Sequence, residues 1–139
     1  MNEFEVCLER RALVRFEGDR SDAVAKEMDA ARSDLLTAGE SLERENWKWA
    51  IVQGYYAMFH AARALVLREG YVEKSHQCLL VAFRTLFGAE GPGRDLASAL
   101  AQARALREDA DYGSEYDEDS ARTVCAAAEK FLVFAEAAV

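Results

Sequence analysis

The stretch Trp47–Arg68, WKWAIVQGYYAMFHAARALVLR, constrains the fold more than any other part of the chain. It holds no proline, is long enough for about six helical turns, and is apolar around nearly its whole circumference. Such a helix belongs inside a protein, with neighbours on most sides. Gly54, Ala57, Ala61 and Ala64 recur along it at helical spacing and make a smooth strip where another backbone can come close. Gln53, Tyr56, His60 and Arg63 make a second strip, which is polar. Two readings of that strip stand. In one, Gln53 and Arg63 reach the rim while Tyr56 and His60 are satisfied by hydrogen bonds. In the other, the strip faces a second subunit or a ligand.

A chain of 139 residues with a single proline, half of it apolar, fits one helical domain with a real core better than a sandwich or barrel. The net charge of -8 disfavours a broad nucleic-acid-coating surface, because phosphate binding needs clustered Lys and Arg, but it leaves room for a small basic site. Cys7, Cys78 and Cys125 are odd in number and widely separated, which favours reduced thiols and a cytoplasmic setting over a disulfide framework. The start, MNEFEVCLERR, carries charges where a signal peptide needs an apolar run. Gln53, His60 and Arg63 interrupt the central stretch, so it is not read as a membrane span.

In chain order, residues 3–16 read as a short amphipathic helix with Phe4, Cys7 and Leu8 on one side. Its basic cluster Arg10, Arg11 and Arg15 reads as a solvated face balanced by nearby acids. After a turn at 16–20, Ser21 stands where an N-cap should, and a helix runs to about Glu45 with Met28, Ala31, Leu35 and Ala38 inward. The short break at Asn46 makes it the antiparallel neighbour of the central helix. Gly70 is the natural stop for that helix and Ser75 the cap of the next, SHQCLLVAFRTLF. GAEGPG at 88–93 is the clearest breaker, followed by a helix from about Arg94 to Asp111. After the acidic loop DYGSEYDEDS, Ser120 or Asp119 caps the last helix, with Val124, Ala128, Leu132 and Ala135 inward. No strand-like alternation is visible. The expected fold is an all-α, up-and-down bundle of four or five helices over 21–139, with 1–20 as an N-terminal extension carrying a short helix.

Connectivity predicts a cluster that the linear sequence hides. With GAEGPG as the hinge between antiparallel helices, His76 lies about 14 residues before its centre and Arg107 about 16 after, so the two end at nearly one height. Arg68, Lys74, Asp111 and Tyr112 are expected at the same pole, and His76, in the first turn of its helix, suits a phosphate there. The structural alternative is an Arg107–Asp111 i,i+4 ion pair with no chemistry attached. An EF-hand loop does not fit the spacing of Asp109, Asp111, Glu115 and Asp117, and no metal-ligand pattern or cofactor motif is present.

YYAMFHAARALVL, then GYVEKSH, then REDADYG, resembles the small stand-alone prokaryotic proteins of the HEPN domain family (higher eukaryotes and prokaryotes nucleotide-binding). The resemblance runs from about Ser21 to the C-terminus. It implies an all-α bundle, commonly a homodimer, that pairs with a minimal nucleotidyltransferase as a toxin–antitoxin module. Many such proteins are metal-independent RNases built on an Arg-x(4–6)-His motif. Here the motif is unmatched, because seven residues separate Arg68 from His76. On the resemblance, His76 would act as general acid or base and Arg107 with Lys74 would stabilise phosphorane charge. Asp111 would hold Arg107, and Tyr112 would stack on a base or be modified by the partner enzyme. The alternatives are a nucleotide-binding module regulating a nucleotidyltransferase, and a dimerising scaffold that uses the Gln53–Tyr56–His60–Arg63 strip.

Overall fold

A computed structural model describes residues 1–139. Six helices and two short strands follow in the order α1 (Glu3–Glu9), β1 (Leu13–Arg15), α2 (Ser21–Glu43), α3 (Trp47–Arg68), β2 (Tyr71–Glu73), α4 (His76–Phe87), α5 (Gly91–Tyr112) and α6 (Glu118–Ala138). The fold is an all-α bundle wrapped around α3. Fourteen of the 22 residues of α3 are buried, as its all-round apolar sequence requires. It packs on α2, α4, α5 and α6. The smooth strip lets α6 in closely: a Cβ on Gly54 would stand 2.8 Å from Val124 Cγ1. Met28, Ala31 and Ala38 of α2 and Val124, Ala128, Leu132 and Ala135 of α6 complete the core beside it. No helix is long and apolar enough to cross a membrane.

The N-terminal region departs from expectation. The helix read over 3–16 stops at Glu9, because Arg11 takes a left-handed conformation (φ 58°) and turns the chain. Residues 13–15 then pair antiparallel with 71–73, Leu13 opposite Glu73 and Arg15 opposite Tyr71. Flanking bonds from Phe16 N–H to the Gly70 carbonyl and from Lys74 N–H to the Ala12 carbonyl, both 2.8 Å, extend the ribbon. No alternation in the sequence marks these two short strands, which leave the fold all-α. The reading of all three cysteines as free thiols is wrong: Cys7 of α1 and Cys78 of α4 form a disulfide, with Cα atoms 5.9 Å apart, and Cys125 alone is free. Two residues distant in sequence meet this geometry because the ribbon lays α1 against α4.

Helix ends also differ in detail. Ser75 caps α4 as expected, its hydroxyl accepting from Cys78 N–H at 3.0 Å. Ser21 is instead the first residue of α2, with its N–H held by the Asp19 carboxylate at 2.9 Å. Asp117, rather than Asp119 or Ser120, caps α6 by accepting from Ser120 N–H at 2.7 Å. Helix α5 begins at Gly91, earlier than Arg94, because Pro92 in its first turn is pre-set for a helix. Gly70 follows α3 with φ 98°, the conformation that releases the chain into β2.

Candidate functional site

Beyond Gly70 the chain does not stay at the tip of the bundle. Paired to β1, residues 71–73 run back along α3 in extended form, at about 3.3 Å per residue, and Lys74 and Ser75 lead on into α4. Glu73 consequently meets Arg63, and His76 enters beside Phe59 and Tyr55, near the middle of α3. The His76 ring lies tilted on Phe59 with centroids 4.4 Å apart, and its Nδ1 is 2.8 Å from the Tyr55 hydroxyl. The Tyr56 ring stands perpendicular to the same imidazole, with centroids 6.2 Å apart.

Helix α5 supplies the cations. Arg104, Arg107 and Asp111 share one of its faces at helical spacing. The Arg107 guanidinium stands 5.2 Å from the Tyr55 ring centroid and 5.6 Å from that of Tyr56, within cation–π range of both. Arg107 is only 9% exposed, its Nε has no hydrogen-bond partner, and its contact with Asp111 is a loose 3.5 Å. Arg104 donates to Gln77 Oε1 at 2.6 Å and lines the seam between α3, α4 and α5 with Tyr55, Phe59 and His76.

The electrostatics follow from this packing. Burial, helped by Arg107 and Arg104, holds the His76 imidazole below its ordinary pKa. Burial pushes the Tyr55 phenol up to about 12 against the pull of the same two guanidiniums, so it keeps its proton. Burial works against the Arg107 charge, but the Tyr56 and Tyr55 hydroxyls and Asp111 outweigh it and raise its pKa. A depressed His76 pKa makes the unfolded chain the better proton binder. The associated stability is complete above the ordinary value of 6.5 and drains away as pH falls towards the folded value. The melting temperature of the wild type should therefore fall more steeply below pH 6.5 than that of His76→Gln. Parallel profiles would remove this electrostatic account.

Of the residues expected at one pole, the structure brings together His76, Arg107 and Asp111. Arg68 lies elsewhere, 13 positions along α3 from Tyr55 and so about 20 Å away. It borders a surface hollow with Arg20, Ser21 and Val139. The β1–β2 ribbon is the reason, since it carries the chain away from the tip before α4 starts. Lys74 is exposed and engages the chain through its backbone N–H. Tyr112 is 81% exposed rather than packed on the bundle end. Tyr55 and Arg104 are members that sequence reasoning passes over; the i, i+3, i+7 spacing of Arg104, Arg107 and Asp111 is the available signal.

The polar strip divides. Gln53 lies 2.7 Å from Ser41 Oγ of α2, and Tyr56 joins the Arg107 cluster. His60 Nδ1 meets Glu27 at 2.6 Å and its Nε2 approaches Asp34 at 3.6 Å. Arg63 grips Glu73 at 2.6 and 3.1 Å, reaches Glu27 at 3.4 Å, and lies over the Phe59 ring.

Comparison with known proteins agrees with this fold. The chain is 38% identical over 87 residues to a protein of Archaeoglobus fulgidus named "UPF0332 protein", covering 61% of this chain and 70% of the relative. It is 28% identical over 107 residues to "Putative toxin MJ0605" of Methanocaldococcus jannaschii, covering 76% and 80%. The crystal structure of TT1696 from Thermus thermophilus superposes with a TM-score of 0.72 at 22% identity, over 84% of this chain and 98% of that one, a likeness of fold. The HEPN domain matches residues 25–138, from within α2 to the end of α6, and the chain belongs to the HEPN family.

Proposed function

We infer that this HEPN protein binds RNA or a nucleotide through the His76–Arg104–Arg107 cluster, and that it is the HEPN component of a toxin-like pair with a minimal nucleotidyltransferase. One observation carries the reading. Arg107, nine-tenths buried and with an unpartnered Nε, is held beside His76 within cation–π reach of the Tyr55 and Tyr56 rings. A buried guanidinium with spare donors is suited to a phosphate, and the half-buried Tyr56 ring beside it offers a surface for a base. The small size of the cluster fits an otherwise acidic molecule. The name of the Methanocaldococcus jannaschii relative supports the toxin-like role.

If the ligand is RNA, the chemistry that suits such a site is attack of a 2′-hydroxyl oxygen on the adjacent phosphorus, its proton passing to water. The P–O5′ bond then breaks and O5′ takes a proton from water, leaving a 2′,3′-cyclic phosphate and a 5′-hydroxyl. Arg107 and His76 would stabilise the phosphorane charge. The unmatched Arg-x(4–6)-His spacing favours a second reading, in which the same cluster binds without cutting and regulates the partner enzyme.

A short single-stranded RNA and ATP, each titrated into purified protein, separate these readings. Binding with cyclic-phosphate products supports cleavage; binding with intact RNA supports the regulatory module. Arg107→Ala should weaken binding about 10- to 100-fold, as expected for loss of a charge-assisted hydrogen bond, and reduce the salt slope by about one. Failure of the wild type to bind either ligand would overturn the assignment. Sedimentation of the chain, alone and with a co-expressed small nucleotidyltransferase, tests the homodimer and the pair.

A further inference from the structure

We propose that Tyr55 is a positioning residue that locks His76 as the neutral Nε2–H tautomer, so that the imidazole meets its ligand as a hydrogen-bond donor. This deepens the reading above, on which the identity of the ligand rests.

The lock follows from counting donors and acceptors. Tyr55 is 2% exposed, and its hydroxyl lies 2.8 Å from His76 Nδ1, the one hydrogen-bond acceptor it meets within the chain. The charged groups that flank the hydroxyl, Arg107 and Arg104, are guanidiniums and can only donate. The phenol hydrogen therefore has one acceptor in reach, the Nδ1 lone pair. Placing a hydrogen on Nδ1 would make the hydroxyl oxygen its acceptor and leave the phenol hydrogen buried and unpaired, which proteins avoid. The ring proton is thereby assigned to Nε2, which makes no hydrogen bond within the chain. His76 is not sealed off, so an incoming group can reach it.

Most of the charged groups around the imidazole favour this state. From α5, Arg107 and Arg104 disfavour a second positive charge, as does Arg63 of α3, while Glu73 of β2 alone pulls the other way. Phe59 and Tyr56 of α3 are uncharged walls. The site then presents hydrogens from Nε2 and from two guanidiniums, which matches the oxygens of a phosphate. It also changes the role of His76. A neutral imidazole whose Nδ1 is occupied has no free lone pair to act as a base, and it is a poor acid. It works as a neutral electrophile that hydrogen-bonds developing charge.

The test is nitrogen NMR of the full chain labelled at its histidines, with His76→Gln used to assign the two imidazoles. The wild type at pH 7.5 should show a pyridine-like Nδ1 and a pyrrole-like Nε2 for His76. Tyr55→Phe, which keeps the ring and its packing, should give mixed tautomers, a higher His76 titration midpoint and about fivefold weaker binding of the short RNA. A wild-type His76 protonated at Nδ1, or charged at pH 7.5, overturns the lock even if RNA binds. The expected tautomer without RNA or ATP binding upholds the lock and sinks the functional assignment instead. Should Tyr55→Phe not fold, the wild-type spectrum decides by itself.

Discussion

Opening the Cys7–Cys78 disulfide is expected to lower the free energy of unfolding by about 4 kcal/mol, the chain-entropy value for a closed loop of this length. The bridge joins residues 71 apart in sequence, so it removes a large part of the conformational freedom of the unfolded chain. Against a total stability of about 5–15 kcal/mol for a domain, that is a major share. The folded chain should change less. Helix α1 stays attached through β1, through the Phe4–Tyr71 edge contact at 5.4 Å, and through the Glu3–Arg84 ion pair at 2.7 Å. Cys125 will not scramble the bridge, because burial pushes its thiol up to about 11 and leaves almost no thiolate near neutral pH. Urea unfolding with and without a reductant measures the effect. The midpoint should fall and the slope should rise slightly as the unfolded chain expands. A loss below about 1 kcal/mol would show that the unfolded chain is already compact around this bridge.

The bridge also shows where the sequence is readable and where it is not. Trp47–Arg68 announces itself as the central helix because apolar residues surround it, and neighbours on all sides follow from that alone. Ser75 is legible as a cap because capping is local. Strands of three residues carry no measurable period, so 13–15 and 71–73 leave no trace in the pattern. That small omission has large consequences. Without the ribbon, α4 would start at the tip, Arg68 would join His76, and Cys7 would have no reason to approach Cys78. The height match between His76 and Arg107 is legible because it depends only on helix rise across one hinge. The choice between neighbouring tyrosines is not. Tyr55 is 2% exposed and Tyr56 only half-buried, a difference set by the rotation of α3 against α5.

Arg63→Met is expected to destabilise the fold by about 3 kcal/mol, the low end for breaking a buried ion pair. The side chain of Glu73 is 3% exposed, while that of Arg63 retains 31%, so the carboxylate is the group that suffers when its partner goes. Arg63 meets it with Nε and Nη2, a two-pronged contact that a lysine amine would not reproduce. Its remaining prong reaches Glu27, which also holds His60, so α2, α3 and β2 are joined through one guanidinium. Removing the charge leaves Glu73 desolvated, and Glu27 keeps only His60. Replacing both members, as Arg63→Met with Glu73→Leu, should recover most of the loss, because no buried charge is then stranded. Because Glu73 leads directly into the Ser75 cap and His76, the single variant should also broaden the His76 resonances, whereas the double variant should leave them sharp. Urea midpoints of the wild type, the two single variants and the double variant close the cycle. Additive losses would mean that Glu73 finds another partner when Arg63 is gone, and that the ribbon is held in place by its backbone ladder and the disulfide.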